Sequence, residues 1–397
     1  MSYTIRNLHD VEDSAPKFGF SETQEARFPR EDLGAETIGL AYHVVRPGKR
    51  QAFAHRHHDA EEVYVVLSGA GRLKLDDDVV EIRTMDAIRV ARAASGKDVL
   101  LKIEGSYHGH HDAVMYSVIP SMDSAGPTER PWTAPFSRGI PPETANSTMI
   151  VPFNDVEGLE NILNEHGDRI GALIMEPVMM NIGIVVPLPG YLQKVRELCD
   201  KHNVVLIFDE VKTGVTIAPG GATEYYGVQP DLVCLAKAIG GGTPVGAFGG
   251  KASLMDEIMN GVAALGTFNG NPLSMAAGLA TLTEVLTPDA YEKLATLGTR
   301  LAQGCQKVLD QYGIPAITTD LGCKGSITFR DKPLERYRDF AEVDDELFDA
   351  YWYWVVNRGI YQTPGKEEQW TISVQHSEED LDETVEILAD YCDKVAS

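Results

Sequence analysis

The sequence predicts an α/β protein with a mainly parallel sheet, followed by a smaller α+β domain and preceded by a β-rich segment. After about residue 95, near-continuous apolar runs such as "VVLIFDEV" alternate with longer helical patterns, which is typical of parallel strands buried between two layers of helices. Between about residues 36 and 83, short runs alternate apolar and polar residues and are separated by turn residues. This pattern predicts a small antiparallel barrel or sandwich. From about residue 274 the chain is mostly helical, with a few strands and an amphipathic closing helix.

The composition favours a small-molecule substrate and argues against nucleic acid and membranes as partners. The 397 residues carry a formal net charge of −24, which repels polyanions and anionic lipid surfaces. No apolar run approaches the roughly 18–20 residues of a membrane span, and the first residues do not follow the pattern of a signal peptide. The five cysteines are scattered and lack Cys-x-x-Cys spacing, which is typical of a reducing compartment. We therefore expect a cytoplasmic protein without a disulfide framework.

The stretch "EIRTMDAIRVARA" at residues 81–93 fits two kinds of secondary structure. Its apolar residues continue the alternation of the upstream strands, but they also repeat with the spacing of one helix face. Thr84 is a suitable N-cap for that helix, and Gly96 is a suitable residue near its end. We therefore predict a helix from Thr84 to about Ala94.

A first group of candidate ligands lies in the β-rich segment. His55 and His57 are two residues apart, so on a strand both side chains point to one face, and Glu62 begins the next apolar run. Two imidazoles and a carboxylate that converge can bind a divalent metal such as Fe, Mn, Ni or Zn; the alternative is a solvated turn. The stretch Gly48–Gly69 resembles the first cupin motif, and the second motif of that family is missing downstream. The resemblance implies a truncated cupin over residues 36–83.

A second group of candidate residues follows two apolar runs in the α/β part. Asp209 and Glu210 end one buried strand, where open α/β sheets bind their ligands. Lys237 lies among apolar residues just before Gly240–Gly242. Desolvation lowers the pKa of such an amine and makes it a nucleophile that can form a Schiff base. An aspartate that keeps a pyridine nitrogen protonated, together with this lysine, indicates pyridoxal phosphate chemistry.

Two further stretches supply groups for the same cofactor. Tyr107 in "YHGHHD" is an aromatic residue that can stack on the cofactor ring, and His108 next to it is a second candidate for cofactor binding. Thr267 in "GTFNGNPLSM" and the backbone N–H groups around it can bind a phosphate.

From about Thr84 to the C-terminus the sequence resembles the class III, fold-type I aminotransferases, and within that family the glutamate-1-semialdehyde 2,1-aminomutases. The matching stretches include "EGSYHGHHD", "IFDEVKTG", "PDLVCLAKAIGGG" and "GTFNGNPLSMAAG". The resemblance implies a fold-type I large domain, a C-terminal small domain, a homodimer and pyridoxal 5'-phosphate as cofactor. It also implies an aminotransferase or aminomutase reaction on an amino acid or amino-aldehyde.

The resemblance further implies a role for each matching site residue. These roles are Lys237 as Schiff-base lysine, Asp209 as partner of the pyridine nitrogen, Val211 and Tyr107 on the two ring faces, Thr267 at the phosphate from the neighbouring subunit, Glu176 and Asn181 along the site, and Glu368 as the C-terminal site glutamate.

The chain departs from the family at two places that matter for the site. The Ser-Gly-Thr loop that binds the cofactor phosphate is not found ahead of the helix at Thr84, and Lys212 stands where the family usually has an uncharged residue. Two other functions therefore stay open, a metal-binding cupin protein and a non-catalytic chimera.

The domain organisation follows from these patterns. We predict an N-terminal arm (1–35), the cupin-like segment (36–83), a large cofactor-binding domain (84–275) and a small domain (276–397).

Overall fold

The computed structural model describes residues 11–28, 87–264 and 269–397 with their side chains, and residues 42–45, 73–75 and 78–80 by their backbone. The chain forms two compact units, Met1–Val63 and Tyr64–Ser397. Among the described residues, no helix combines the length and the apolar character needed to cross a membrane.

The first unit contains one described pair of strands. β1 (Gln24–Arg27) and β2 (Tyr42–Val45) run antiparallel, with Gln24 opposite Val45. β2 lies in the predicted β-rich segment, whereas β1 lies in the part that we predicted to be an arm. Most of residues 36–83 lie outside the described residues, so the cupin-like structure of this segment stays a prediction.

The second unit begins with a hairpin and a helix. β3 (Leu73–Leu75) and β4 (Asp78–Val80) pair antiparallel on both sides of the aspartate run, where the sequence predicted two strands. The described part of the stretch with two possible structures is helical, because α1 spans Ala87–Ser95. Gly96 follows it with a positive φ of 65°, and its N–H bonds to the Arg92 carbonyl. The predicted start of this helix at Thr84 lies outside the described residues.

The main sheet has six described strands in the order β10-β9-β8-β7-β5-β6, all parallel except β10. Their bounds are β5 Val99–Ile103, β6 Thr148–Val151, β7 Ile170–Met175, β8 Val205–Asp209, β9 Leu232–Ala236 and β10 Gly246–Gly250. This confirms the predicted α/β class with a mainly parallel sheet.

Helices cover both faces of this sheet. α3 (Val156–His166) and α4 (Tyr191–His202) pack on one face in a core that includes Leu101, and α1 packs with Leu100 on the other face. Alternate residues of β5 therefore enter different cores, as expected of a strand buried on both sides. Short helices in the connections are α2 Met122–Ala125, α5 Gly221–Tyr226 and α6 Ala252–Met255.

The C-terminal part has its own sheet and core. Its antiparallel strands are β11 (Ile317–Leu321), β12 (Lys324–Thr328) and β13 (Trp370–Thr371). Its helices are α7 Pro272–Ala280, which continues as a π-helical turn over Thr281–Val285, α8 Pro288–Tyr312, α9 Tyr337–Phe340, α10 Asp345–Val356 and α11 Glu378–Ala396. The closing helix α11 was predicted from its apolar spacing, and Leu381, Leu388 and Tyr391 are buried in the core that it shares with α8 and α10.

Candidate active site

Four neighbouring strands of the main sheet end at the same edge, and each delivers a polar side chain there. In the order β9, β8, β7 and β5, the residues at or just after the strand ends are Lys237, Asp209, Glu176 and the pair Tyr107–His108. The carboxyl ends of parallel strands are where open α/β sheets bind ligands. The structure thus brings together residues that the sequence predicted separately.

Asp209 and His108 form a buried pair at this edge. His108 Nδ1 lies 2.7 Å from Asp209 Oδ2, with 0% of the histidine side chain and 10% of the aspartate side chain exposed. The other carboxylate oxygen of Asp209 accepts a hydrogen bond from the Val211 N–H at 3.0 Å. These bonds fix the direction of the Asp209 carboxylate. His108 Nε2 is also buried and has no hydrogen-bond partner among the described residues.

The neighbouring acid, Glu210, has a different task. Its carboxylate accepts hydrogen bonds from the Ala222 and Thr223 N–H groups and from the Thr223 and Thr213 hydroxyls. It therefore ties the turn after β8 to the first residues of α5, whose free N–H groups favour a carboxylate. The sequence placed both acids at the strand end, and the structure separates them into one that faces the site and one that anchors the fold.

Lys237 lies directly after β9 in an unusual backbone conformation. Its φ is 51°, in the left-handed region of the backbone. Residues other than glycine rarely adopt this region, which costs them about 1–2 kcal/mol. The residue is accessible to solvent, but its amine is partly surrounded by protein. This partial burial, together with the positive charge of Lys212, lowers the pKa of Lys237. The lowered pKa agrees with the expectation from its apolar neighbours and increases the fraction of neutral amine at a given pH.

Glu176 links the end of β7 to the Tyr107 loop. The Met180 N–H donates to Glu176 Oε2 at 2.8 Å and the Tyr107 N–H to Oε1 at 3.4 Å. Burial raises the pKa of Glu176, and a hydrogen bond from the partly buried Asn181 opposes this effect. The Tyr107 ring is partly buried and makes an edge contact with His110, with ring centroids 6.2 Å apart.

Lys212, the departure noted in the sequence, reaches the same region and meets Glu368. Its buried Nζ lies 3.2 Å from Glu368 Oε2 and 2.8 Å from the Met180 carbonyl oxygen, to which it donates. Gln369 Nε2 also donates to Glu368 Oε2 at 2.8 Å. Glu368 was predicted to lie at the site. It contacts Lys212, and its negative charge raises the pKa of Lys237.

One buried residue beside the site, Lys102, was not predicted from the sequence. Its side chain is fully buried in β5, and Nζ donates to the carbonyls of Tyr116 at 2.7 Å and Ser106 at 2.9 Å. Burial lowers the pKa of Lys102 to about 7. The bond to Ser106 fixes the backbone of the residue that precedes Tyr107. A charged residue inside the apolar run "DVLLKIEG" was the signal that could have found it.

Some predicted site residues lie outside the described part of the chain. These are Thr267 at the cofactor phosphate and the metal candidates His55, His57 and Glu62. Within the described residues no group of three or more His, Cys, Asp or Glu side chains is arranged for a metal ion. The metal site therefore stays a prediction.

The described residues fit the ring of pyridoxal phosphate. A protonated ring nitrogen needs a buried carboxylate, which Asp209 supplies with its direction fixed by His108 and Val211. An aldehyde needs an accessible amine with a lowered pKa, which Lys237 supplies. The fit concerns the ring alone, because the residue predicted to bind the phosphate lies outside the described residues.

Comparison with known families agrees with this geometry. Residues 82–365 match the aminotransferase class-III family. The chain belongs to the class III aminotransferases. The match begins close to Thr84, where the sequence analysis placed the change from the cupin-like segment. Among similar class III relatives, the glutamate-1-semialdehyde 2,1-aminomutase of Desulfatibacillum aliphaticivorans is 38% identical over 328 residues, which cover 82% of this chain and 75% of that protein.

Solved structures of class III aminotransferases share the fold. An ω-transaminase from Sphaerobacter thermophilus superposes with a TM-score of 0.73 at 32% identity, over 78% of this chain and 72% of that one. A glutamate-1-semialdehyde aminomutase from Pseudomonas aeruginosa PAO1 in complex with PMP gives 0.68 at 29% identity, over 77% and 68%. The predicted class III family and the predicted α/β fold with its C-terminal domain are confirmed, whereas the cupin-like segment stays a prediction. The protein is an enzyme of the pyridoxal-phosphate-dependent aminotransferase and aminomutase type.

Proposed function

We propose that this protein binds pyridoxal 5'-phosphate through Lys237 and transfers or relocates an amino group on a small amino acid or amino-aldehyde in the cytoplasm. The observation that carries the proposal is that Lys237 and the buried Asp209–His108 pair lie at the ends of adjacent strands, where the charge of Asp209 acts on Lys237. Names of similar proteins, such as the aminomutase of Desulfatibacillum aliphaticivorans, support this reaction type.

Each residue at the strand ends has a proposed task. Asp209 faces the ring nitrogen and is oriented by His108. Tyr107 and Val211 contact the two ring faces. Glu176, which is hydrogen-bonded by Asn181, accepts a hydrogen bond from the Tyr107 N–H and so fixes the Tyr107 loop. The cofactor, when bound, supplies an electron sink for the substrate carbon. We assign these residues to the large domain (84–275) and Glu368 to the small domain (276–397).

Lys237 is proposed to act as the base and acid of the reaction. Its lowered pKa leaves a larger fraction of neutral amine to accept a proton from the substrate carbon, and the protonated amine can return the proton at a second carbon. Asp209 and Glu368 are carboxylates in its surroundings that stabilise the protonated form, so that both states of the amine are accessible.

The test is the absorption spectrum of purified protein supplied with pyridoxal phosphate. A lysine-linked cofactor absorbs at about 410–430 nm, and Lys237→Ala is expected to lose this band. Lys307→Ala is the matched control, because Lys307 is an exposed lysine on α8 far along the chain from the site. A wild-type protein that shows no band with added cofactor would falsify the proposal.

We also propose a homodimer in which Thr267 reaches the cofactor phosphate of the partner copy. Support comes from α7 and the following π-helical turn, which pack closely against the Lys237 turn. A Cβ at Gly278 would lie 3.1 Å from the Ile239 carbonyl oxygen. The same segment exposes a row of large apolar side chains, namely Leu273, Met275, Leu279, Leu282 and Val285. A second copy covering that row would lie next to the site.

Mixing two variants tests this arrangement. Lys237→Ala removes the cofactor link and Thr267→Ala weakens phosphate binding, so each protein alone is expected to show a weak or absent visible band. A mixed dimer contains one site with both residues intact and is expected to regain part of the band. If light scattering gives the mass of a single chain, or if mixing restores nothing, the dimer proposal fails.

A further inference from the structure

Lysines 212 and 324 bring positive charge to the site from two different parts of the fold. Lys212 lies in the turn after β8, and Lys324 begins β12 of the C-terminal sheet. Their exposed fractions are 9% and 8%. Buried ammonium groups are expensive to desolvate and normally have a carboxylate, a carbonyl or a ligand beside them.

Strand β12 turns a polar face away from the core of the C-terminal part. Cys323, Ile327 and Phe329 belong to that core, so the alternating residues Lys324 and Ser326 point to the opposite face. Both are nevertheless buried. The polar face of β12 is therefore covered by other parts of the protein rather than by solvent.

The neighbouring strand β13 continues this polar face. Thr371 lies opposite Lys324 in the strand register, and Lys324 Nζ donates to Thr371 Oγ1 at 2.9 Å. Trp370 packs against the core on the other side. A hydroxyl group is neutral, so this hydrogen bond does not offset the positive charge of a buried ammonium group.

Ser326 gives an independent sign of a missing partner. Its residue is 3% exposed, and its Oγ has no hydrogen-bond partner among the described residues. A buried hydroxyl without a partner is energetically costly, and native proteins rarely leave such a group unsatisfied unless a ligand or water completes it.

Charged groups of both signs act on Lys324. Lys212 and Lys237 lower its pKa, while Cys323 and Glu368, which pairs with Lys212, raise it. Burial, together with these two positive charges, lowers the pKa of Lys324. An anion bound here would reduce the repulsion among the three lysines and would offset the cost of burying the Lys324 ammonium group.

We propose that Lys324 Nζ and Ser326 Oγ bind a carboxylate group of the substrate, with Lys212 adding a second positive charge. The proposal rests on the proposed function, because it makes the substrate a carboxylate-bearing amine whose amino group reacts at Lys237. Glu368 is 26% exposed in its side chain, so its carboxylate can move away from Lys212 when the ligand carboxylate arrives.

The test uses butyrate, which has the carboxylate but no amine, and butyramide as its uncharged analogue. Binding is measured by calorimetry with protein both before and after pyridoxal phosphate is added. Wild type is expected to bind butyrate about tenfold or more tightly than butyramide, as a charge-assisted hydrogen bond implies. Lys324→Met and Ser326→Ala are each expected to remove most of this preference, and Lys212→Met part of it. Lys307→Met is the control and is expected to keep it.

Ser326→Ala removes a single oxygen and protects the test against a Lys324→Met protein that fails to fold. Equal binding of butyrate and butyramide by wild type overturns the proposal, and so does an unchanged preference in folded Lys324→Met and Ser326→Ala. Failure of the proposed function shows differently, as a missing visible band, because binding of butyrate needs no reaction at Lys237.

Discussion

His108 Nδ1 and Asp209 Oδ2 lie 2.7 Å apart, although the two residues are 101 positions apart in the chain. The pair joins the loop after β5 to the end of β8 and fixes the carboxylate that faces the proposed ring nitrogen. Asp209→Asn keeps the shape of this side chain but removes its negative charge. We expect it to weaken pyridoxal phosphate binding by about 10-fold to 150-fold, the range for a lost hydrogen bond to a charged group. Absorbance titration with the cofactor measures this effect. His108→Gln, which keeps a donor, should weaken binding less, and equal affinity of Asp209→Asn and wild type would contradict the assignment.

A second prediction concerns the pKa of Lys237. Burial and the Lys212 charge lower this pKa, while Asp209, Glu176 and Glu368 raise it. Lys212→Met removes a positive charge, so the pKa of Lys237 should rise and its amine should react at higher pH. Glu368→Gln removes a negative charge and should move the midpoint in the opposite direction.

The measurement for Lys237 is its rate of acylation as a function of pH in cofactor-free protein, followed by peptide mass spectrometry. Labelling of Lys307 in the same samples controls for the reagent. Shifts of the same sign in the two variants would show that these charges do not act on Lys237 in this way.

Lys102 leads to a prediction about stability and pH. Burial lowers its pKa in the folded protein to about 7, from the usual lysine value of 10.5. Between these two values the unfolded chain holds a proton that the folded chain does not, so stability rises with pH across this window. Its contribution is fully present above the unfolded pKa and is lost as the pH falls to about 7. The slope is about 1.4 kcal/mol per pH unit for one proton.

Urea unfolding between about pH 7 and pH 9.5 tests this window. Lys102→Met has no titrating group at this position, so its stability should change less with pH than that of wild type. The comparison is between slopes, because the variant also loses the hydrogen bonds to Ser106 and Tyr116. Parallel pH profiles in the two proteins would count against a depressed pKa.

A side chain added at Gly298 is expected to cause a steric clash in the C-terminal part. Gly298 lies in α8, and a Cβ there would clash with the Gly322 carbonyl oxygen. Backbone cannot yield as a side chain can, so Gly298→Ala should destabilise the protein by about 1–3 kcal/mol, the usual cost of overpacking. Gly304→Ala in the same helix meets the Val385 side chain at 2.7 Å and should cost less. Melting temperatures of the two variants decide this, and an equal loss would refute the distinction.

Much of the fold could be predicted from the sequence because burial leaves a local pattern. The apolar run ending at Asp209 predicted a strand buried on both faces, and the spacing in α11 predicted an amphipathic helix. The first strand, β1, was missed, because "QEAR" has neither apolar alternation nor β-branched residues.

The site was predictable where a residue follows a strand and not where two distant side chains meet. Asp209 and Lys237 stand at strand ends, so their positions followed from local sequence. The contact of Lys212 with Glu368 joins residues 156 positions apart, and no local pattern encodes it. Lys102 was missed for another reason, since a lysine in a strand is usually solvated and only the packed sheet shows its carbonyl partners.

The backbone of Lys237 has a consequence for evolution. Because a side chain at φ 51° is strained, selection for stability and selection for chemistry oppose each other at this position. Lys237→Gly should melt above Lys237→Ala, since glycine adopts this conformation freely. Homologues released from catalysis would then drift towards glycine or asparagine here. A lysine retained in that conformation would mark a lineage in which the reaction is still under selection.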